Sequence, residues 1–131
     1  MAKILIVDDK PGIRQVFAEG LAFEGYTVFS VGNPVSIQQV IQCSQPDLVI
    51  IDPFIGGKHR WDLLEEIKQL DPHVPVLIVT SLESYRDDPH LSLAAGILIK
   101  SFYFDDLLKK VAEMIGRIHP ANDFPLLTVQ G

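Results

Sequence analysis

Five polar residues follow apolar runs of the chain in a way that suggests one shared site. Asp8 and Asp9 follow "ILIV", Asp52 follows "LVII", Thr80 follows "VLIV" and Lys100 follows "ILI". Taken singly, an acid at such a position is most often a turn residue or a helix cap, and a lone lysine or threonine is solvated or caps a helix. The joint pattern of three acids, a hydroxyl and an ammonium group is what indicates chemistry.

Three crowded carboxylates repel one another, so a proton or a cation must compensate their charge. Mg²⁺ suits such a set, because it binds through one or two carboxylates and keeps several waters. One carboxylate would then be free to attack phosphorus. Lys100, with the hydroxyls of Thr80 or Ser81, could hold the oxygens of an incoming phosphoryl group. These residue types therefore predict phosphoryl transfer to an acid.

The apolar runs predict the strands that position these side chains. Residues 4–7, 48–51 and 76–79 are rich in β-branched residues, as strands buried on both faces of a parallel sheet are. Residues 26–31 suggest a strand nearer an edge, and residues 97–99 a short strand. Amphipathic segments lie between the runs. The pattern predicts a single (βα)₅ domain, doubly wound, with helices on both faces of one sheet and a binding site at the carboxyl edge of its strands.

Some segments are less regular. Pro11 lies near the start of the first predicted helix, and Asn33-Pro34 reads as the cap and first turn of the second. Pro89 makes any helix between the fourth and fifth strands short or late. The stretch that contains Phe54, Gly56 and Gly57 reads as an apolar, flexible loop. Residues 1–118 are expected to form the domain, and residues 119–131 a tail or the start of a linker.

Composition limits the class of protein. The chain has 131 residues, 47% of them hydrophobic, which fits one compact domain. Its formal net charge of −6 argues against direct nucleic-acid binding. No run approaches the roughly 18 apolar residues that span a bilayer, and no signal peptide is recognisable. The plain expectation is a cytoplasmic domain that does not contact a membrane.

Several motifs, in order, resemble one known family. They are "ILIVDDKPGIR", "QPDLVIID" followed by "WDLLEEIK", "VPVLIVTS", and "IKSF" followed by "DDLLKKV". Across residues 2–118 the chain resembles the receiver domain of two-component response regulators. The resemblance implies a flavodoxin-like fold, a parallel five-stranded sheet in the order 2-1-3-4-5.

The resemblance also implies the roles of the site residues. Asp52 would accept a phosphoryl group from a phosphohistidine on a histidine kinase or a histidine phosphotransfer protein, with Thr80, Ser81 and Lys100 binding that group. Such a domain assists its own phosphorylation and dephosphorylation but is not an enzyme in the ordinary sense. A homodimer is left open. The implied Mg²⁺ ligands are Asp8 (through water), Asp9, Asp52 and the backbone carbonyl of Phe54.

The chain departs from the family pattern on the side that normally reports phosphorylation. Ile97 stands where most members have an aromatic switch residue, and Ser101 stands where they have proline after the lysine. Gly56 and Arg60 replace the usual proline and glycine after the phosphorylated acid. The segment from Thr80 to Lys100 is also shorter than usual. These departures bear on how the signal is read rather than on whether phosphate is accepted.

The two positions that tune phosphate lifetime in the family fall on Phe54 and Leu82. Both are apolar, so we expect them to hinder the attacking water and to slow hydrolysis.

Two alternatives remain. A degenerate receiver could act as a protein-interaction module without phosphotransfer, which the missing aromatic switch favours and the complete acidic set disfavours. A phosphatase of the haloacid dehalogenase type also uses Asp, Thr or Ser, Lys and Mg²⁺. Its nucleophile belongs to a D-x-D motif in the first strand, whereas this chain has adjacent acids there and no cap domain.

Overall fold

Residues 1–118 are described by a computed structural model of the chain, so the expected tail at 119–131 lies outside the described residues. The described residues form a five-stranded main sheet, four α-helices, a two-stranded hairpin and two short 3₁₀ helices. The strands and α-helices are β1 (Lys3–Val7), α1 (Pro11–Phe23), β2 (Thr27–Val31), α2 (Ile37–Ser44), β3 (Leu48–Ile51), β4 (Phe54–Ile55), β5 (Lys58–His59), α3 (Trp61–Leu70), β6 (Val76–Thr80), β7 (Gly96–Ile99) and α4 (Phe104–Ile118). Within residues 1–118 no helix has both the length and the apolar character needed to cross a membrane.

The main sheet confirms the predicted topology. Its five strands are parallel and lie in the order β2-β1-β3-β6-β7. This is the expected order 2-1-3-4-5 with the hairpin β4-β5 inserted in the chain after the third strand. The strand predicted near an edge, β2, is an edge strand.

Alternating residues of the central strands fill two separate cores. In β1, Ile4 and Ile6 pack with residues of α1 and α4, whereas Leu5 and Val7 pack with residues of α2 and α3. Successive side chains of a strand point to opposite faces, so a strand covered on both sides must be apolar throughout. The unbroken apolar runs therefore reflect the two helical layers.

The second helix begins later than the sequence predicts. Its N-cap is Ser36, whose side chain accepts a hydrogen bond from the Gln39 N–H at 3.2 Å. Asn33-Pro34 lies before the helix, so the prediction that this pair caps it was wrong. A serine hydroxyl satisfies one of the free N–H groups of the first turn, which makes Ser36 an effective alternative cap.

The stretch after Asp52 is a hairpin rather than a flexible loop. Phe54 pairs with His59 and Ile55 pairs with Lys58, antiparallel. The turn between them has φ values of +62° at Gly56 and +75° at Gly57. Glycine adopts positive φ without steric cost, and two-residue hairpin turns of type I′ need it at both central positions. The glycine pair is thus the cause of the hairpin.

Two 3₁₀ helices replace the expected helix between β6 and β7. They span Glu83–Asp87 and Pro89–Leu93, which confirms that helix in this region is short. Asp88 caps the second one, its carboxylate accepting the His90 N–H at 2.8 Å. Leu91 and Leu93 pack against the core on the α2–α3 side, so these turns cover the sheet as a longer helix would.

One close contact joins α1 to α4. A Cβ atom added at Gly20 would lie 2.2 Å from Cζ of Phe104. The rings of Phe104 and Phe102 both lie 6.2 Å from that of Phe17 in α1, centroid to centroid. The start of α4, and the loop after β7, are therefore seated on the first helix.

Candidate functional site: an acidic cluster at the carboxyl edge of the sheet

The carboxyl ends of four strands bring the predicted residues to one edge. Asp8 follows β1, Asp52 follows β3, Thr80 ends β6 and Lys100 follows β7. Their strands are neighbours in the sheet, in the order β1-β3-β6-β7. Asp8, Asp52 and Thr80 are buried. The sequence prediction that these residues share one edge is confirmed.

Lys100 bridges two of the acids. Its Nζ atom lies 2.8 Å from Oδ2 of Asp8 and 2.8 Å from Oδ2 of Asp52. All three side chains are less than a tenth exposed, at 9%, 3% and 1%. Removing one partner from a buried ion pair leaves an uncompensated charge, at a cost of about 3–5 kcal/mol. Lys100 therefore holds the two carboxylates together at this edge of the sheet.

The second oxygen of Asp52 is held by the chain that follows it. Oδ1 accepts the Phe54 N–H at 3.0 Å. Pro53 has no N–H to donate. The donor to this carboxylate is the next residue, Phe54, so the proline removes no hydrogen bond from this turn. The Phe54 N–H thus contacts the carboxylate of Asp52 directly. A group bound to that carboxylate would lie beside the same N–H.

Asp9 is held from two sides by partners that sequence reasoning missed. Its Oδ2 accepts the Gly56 N–H at 2.9 Å, and its Oδ1 lies 3.2 Å from Nζ of Lys10. The same Nζ lies 3.4 Å from Oδ2 of Asp52. The available signal was the lysine directly after Asp8 and Asp9, because its ammonium is within reach of both Asp9 and Asp52.

These contacts shift the ionisation of Asp9 and Lys10. The Gly56 N–H lowers the pKa of the Asp9 carboxyl, burial opposes this, and the Lys10 ammonium adds to the lowering. Burial alone would lower the pKa of Lys10, but the charge of Asp52 and the bond to Asp9 raise it overall. Both groups are thus held in their charged forms.

The donor set fits a hard cation, but the carboxylates do not form a ready-made cage. Within residues 1–118 no three His, Cys, Asp or Glu side chains are grouped closely enough to hold a metal ion. Carboxylate oxygens of Asp9 and Asp52 nevertheless approach one point closely enough to share the Lys10 ammonium. Oxygen donors of this kind are what Mg²⁺ uses, commonly from one or two carboxylates. The chemistry of the site is thus compatible with Mg²⁺.

The two hydroxyl candidates lie in different environments. Thr80 is fully buried, and its Oγ1 accepts the Leu82 N–H at 3.2 Å. Ser81 is exposed. Ile97, at the expected switch position, is half-buried and packs against the core on the α2–α3 side. The peptide bond between Lys100 and Ser101 is trans.

A set of rings beside the site was not foreseen from the sequence. We call it the aromatic cluster: Phe54, His59, Trp61, Tyr85 and His90. Trp61 stacks on His90 with centroids 4.7 Å apart and planes 3° apart, and it also contacts Tyr85 at 4.7 Å. Phe54 contacts His59 at 5.2 Å. The cluster joins the hairpin to both 3₁₀ helices.

Comparison with known proteins places this geometry in a family. The family described as "response regulator receiver domain" matches residues 4–112. Sporulation initiation phosphotransferase F of Bacillus subtilis is 37% identical over 116 residues, covering 86% of this chain and 93% of that protein. The DNA-binding transcriptional regulator NtrC of Bradyrhizobium is 32% identical, covering 87% of this chain but only 23% of the relative.

Solved structures agree. The response regulator TrrA of Thermotoga maritima, in complex with Mg²⁺-BeF, has a TM-score of 0.79 and 32% sequence identity, covering 87% of this chain and 99% of that one. A second structure, of the histidine kinase ThkA in complex with TrrA, gives a TM-score of 0.77 at the same identity and covers 87% of this chain and 98% of that one. These matches confirm the flavodoxin-like fold and the family resemblance that the sequence motifs suggested. The chain belongs to the response regulator receiver domain family.

Proposed function

We propose that the chain is a phosphoacceptor domain in which Asp52 receives a phosphoryl group from a histidine kinase or a histidine phosphotransfer protein. The observation that carries this proposal is the contact of one buried ammonium, Lys100, with both Asp8 and Asp52 at 2.8 Å. This contact positions the nucleophilic carboxylate beside a buried positive charge, at the sheet edge where ligands bind in open α/β folds. A relative's structure with a kinase supports the class of partner.

In the proposed reaction an Asp52 oxygen forms a bond to phosphorus as the bond from phosphorus to the histidine nitrogen breaks. Lys100 lies where it can balance the charge of the phosphoryl oxygens, and the Phe54 N–H can donate to one of them. The Thr80 hydroxyl accepts the Leu82 N–H, which leaves its own O–H free to donate to a phosphoryl oxygen. Such positioning with charge balance supplies most of the catalysis in phosphoryl transfer.

Mg²⁺ is the proposed cofactor, and when bound it neutralises charge on the phosphoryl group. Asp9 and Asp52 would hold it directly and Asp8 through water, with the carbonyl of Phe54 as a further ligand. A structural relative was solved with Mg²⁺-BeF, which supports the choice of ion. We place Ser81, which is exposed, at the margin of the phosphoryl-binding set.

The remaining proposals concern the setting of the domain. We propose a cytoplasmic regulatory domain, spanning residues 1–118, that is not an enzyme in the ordinary sense and that contacts neither nucleic acid nor a membrane. Ile97 and the two 3₁₀ helices favour the second candidate, an interaction module that works without phosphate. Both candidates are compatible with a homodimer.

Incubation with Mg²⁺ and acetyl phosphate separates the two candidates. The wild type is expected to gain one acid-labile phosphate, detected by intact mass, and Asp52→Asn none. The exposed Asp105→Asn variant is a matched control that keeps Asp52 and should be labelled as the wild type is. Failure of the wild type to take up phosphate from acetyl phosphate or from a phosphorylated kinase would support the interaction module.

A further inference from the structure

Asp52 has two ammonium neighbours that differ in character. Lys100 reaches Oδ2 from the interior at 2.8 Å, with a side chain only 9% exposed. Lys10 reaches the same oxygen from the solvent side at 3.4 Å, with a side chain 41% exposed, and also contacts Asp9 at 3.2 Å. The Lys100 ammonium is thus buried, whereas the Lys10 ammonium lies at the end of a flexible, partly exposed side chain.

The contacts of Lys10 are those of a displaceable partner. Ion pairs of a partly exposed lysine contribute little, because the charge is screened and a long side chain must be ordered. The Lys10 backbone is anchored separately, since its N–H donates to Oδ1 of Asp8 at 2.9 Å. The ammonium can therefore move away while residue 10 stays in place.

The oxygens that Lys10 contacts are the ones a bound divalent cation needs. Asp9 and Asp52 are the two proposed direct Mg²⁺ ligands, and Oδ1 of Asp9 and Oδ2 of Asp52 both face the Lys10 ammonium. Oδ2 of Asp52 already contacts Lys100, so a divalent ion bound between Asp9 and Asp52 would strongly repel a Lys10 ammonium that stayed in the same gap. We propose that Lys10 is a built-in competitor of Mg²⁺, whose ammonium must be displaced before the ion binds.

This inference rests on the proposed function, because that function places Mg²⁺ at these carboxylates. Lys10 also sets the charge that an arriving ion meets. The three carboxylates with Lys10 and Lys100 carry a net formal charge of −1, whereas without Lys10 they would carry −2. Lys10 thus weakens the attraction for Mg²⁺ and raises the ion concentration at which the site fills.

Magnesium titration followed by NMR tests the competition directly. The amide signals of Gly56 and Phe54 report on the site, because these N–H groups donate to Asp9 and Asp52. We expect Lys10→Met to lower the Kd for Mg²⁺ by about three- to tenfold, the size expected for losing one screened charge. Lys10→Arg keeps the charge and should stay near the wild type.

Lys3→Met is the matched control, because it removes one charge at the amino end of β1, on the opposite edge of the sheet. It should leave the Kd for Mg²⁺ unchanged. An equal or higher Kd in Lys10→Met than in the wild type would overturn the proposal. If no variant, Lys10→Met included, responded to Mg²⁺, the competition would be wrong as well, since removing Lys10 would then open no site.

The proposed function fails in a different way. Phosphorylation of Asp52 by a phosphorylated kinase, measured by intact mass at saturating Mg²⁺, tests that function without reference to Lys10. Normal Mg²⁺ competition without any phosphate uptake would overturn the function alone. Normal uptake with the same Kd for Mg²⁺ in the wild type and in Lys10→Met would overturn the competition alone.

Discussion

The Nδ1 atom of His59 lies 2.5 Å from the hydroxyl oxygen of Tyr85. This hydrogen bond ties the hairpin after Asp52 to the first 3₁₀ helix after Thr80. Tyr85 is only 3% exposed, and its ring also packs against Trp61. The two segments that leave the site strands are therefore held together at one buried hydroxyl.

Replacing Tyr85 with phenylalanine removes this hydroxyl and keeps the ring. We expect Tyr85→Phe to lower the free energy of unfolding by about 1 kcal/mol, the net worth of one hydrogen bond whose partner can still reach water. Urea unfolding followed by the fluorescence of Trp61, the single tryptophan, measures this. Tyr103→Phe is the control, because Tyr103 is 84% exposed and should lose almost nothing. Equal stability of the two variants would contradict a structural role for the bond.

Alkaline pH provides a second test of Tyr85. Burial, and next the charges of Asp52 and Asp88, raise the pKa of its hydroxyl from 10.0 to about 12. The folded state therefore favours the neutral hydroxyl. The free energy of unfolding is at its full value below pH 10 and falls as pH rises toward 12. We expect the wild type to lose more stability than Tyr85→Phe over this range. Parallel pH profiles in urea unfolding would show the assignment to be wrong.

Acid pH provides a test of Asp9, whose pKa is shifted downward whereas that of Tyr85 is shifted upward. The Gly56 N–H lowers the pKa of Asp9 in the folded state, so its contribution is present above the unfolded value of 3.8 and is lost as pH falls below it. We expect the wild type to lose more stability than Asp9→Asn between pH 5 and pH 3 (about the range in which an ordinary aspartate titrates). The difference should be less than about 1 kcal/mol, since Asp9 is partly exposed. An equal loss would mean that the bond to Gly56 does not favour the charged form.

The glycine pair of the hairpin can be tested by adding a methyl group. Gly57 has a φ of +75° and no atom within 4 Å of an added Cβ, so any cost comes from the backbone alone. We expect Gly57→Ala to destabilise the protein by about 1 kcal/mol, the cost of a left-handed conformation for an L residue. Gly116→Ala, in α4 and equally unobstructed, should instead stabilise by about 0.5–1 kcal/mol. Thermal unfolding distinguishes these signs.

Phe54 and Leu82 are expected to prolong the life of the phosphoryl group. Phe54 is half-buried beside Asp52, with its ring against His59, so it presents an apolar surface to an approaching water. We expect Phe54→Asn to shorten the half-life of the phosphorylated protein, because an amide can hydrogen-bond and orient that water. Loss of acid-labile phosphate after removal of the donor measures this. A half-life in the wild type no longer than in the variant would contradict it.

The parallel sheet could be predicted because each of its features leaves a local mark. Strands covered on both faces must be apolar throughout, and the runs at β1, β3 and β6 are. Polar residues directly after such runs then fall on one edge by topology alone. Asp52 and Lys100 could therefore be assigned to one site although 48 residues separate them.

The features that the sequence did not predict have several possible local structures, and contacts elsewhere in the fold decide between them. Ser36 and Asn33 are both favourable N-cap residues, and local sequence does not choose between them. The glycine pair is compatible with a loop or a turn until Phe54 pairs with His59. Lys10 has no periodic pattern at all, because its role arises from where Asp9 and Asp52 meet in three dimensions.

The missing side chain of Gly20 has a consequence for how the sequence can vary. The ring of Phe104 occupies the space that a Cβ at position 20 would need, 2.2 Å from Cζ. Positions 20 and 104 should therefore change together during evolution, because a side chain at position 20 would require the ring at 104 to shift or to be replaced by a smaller residue.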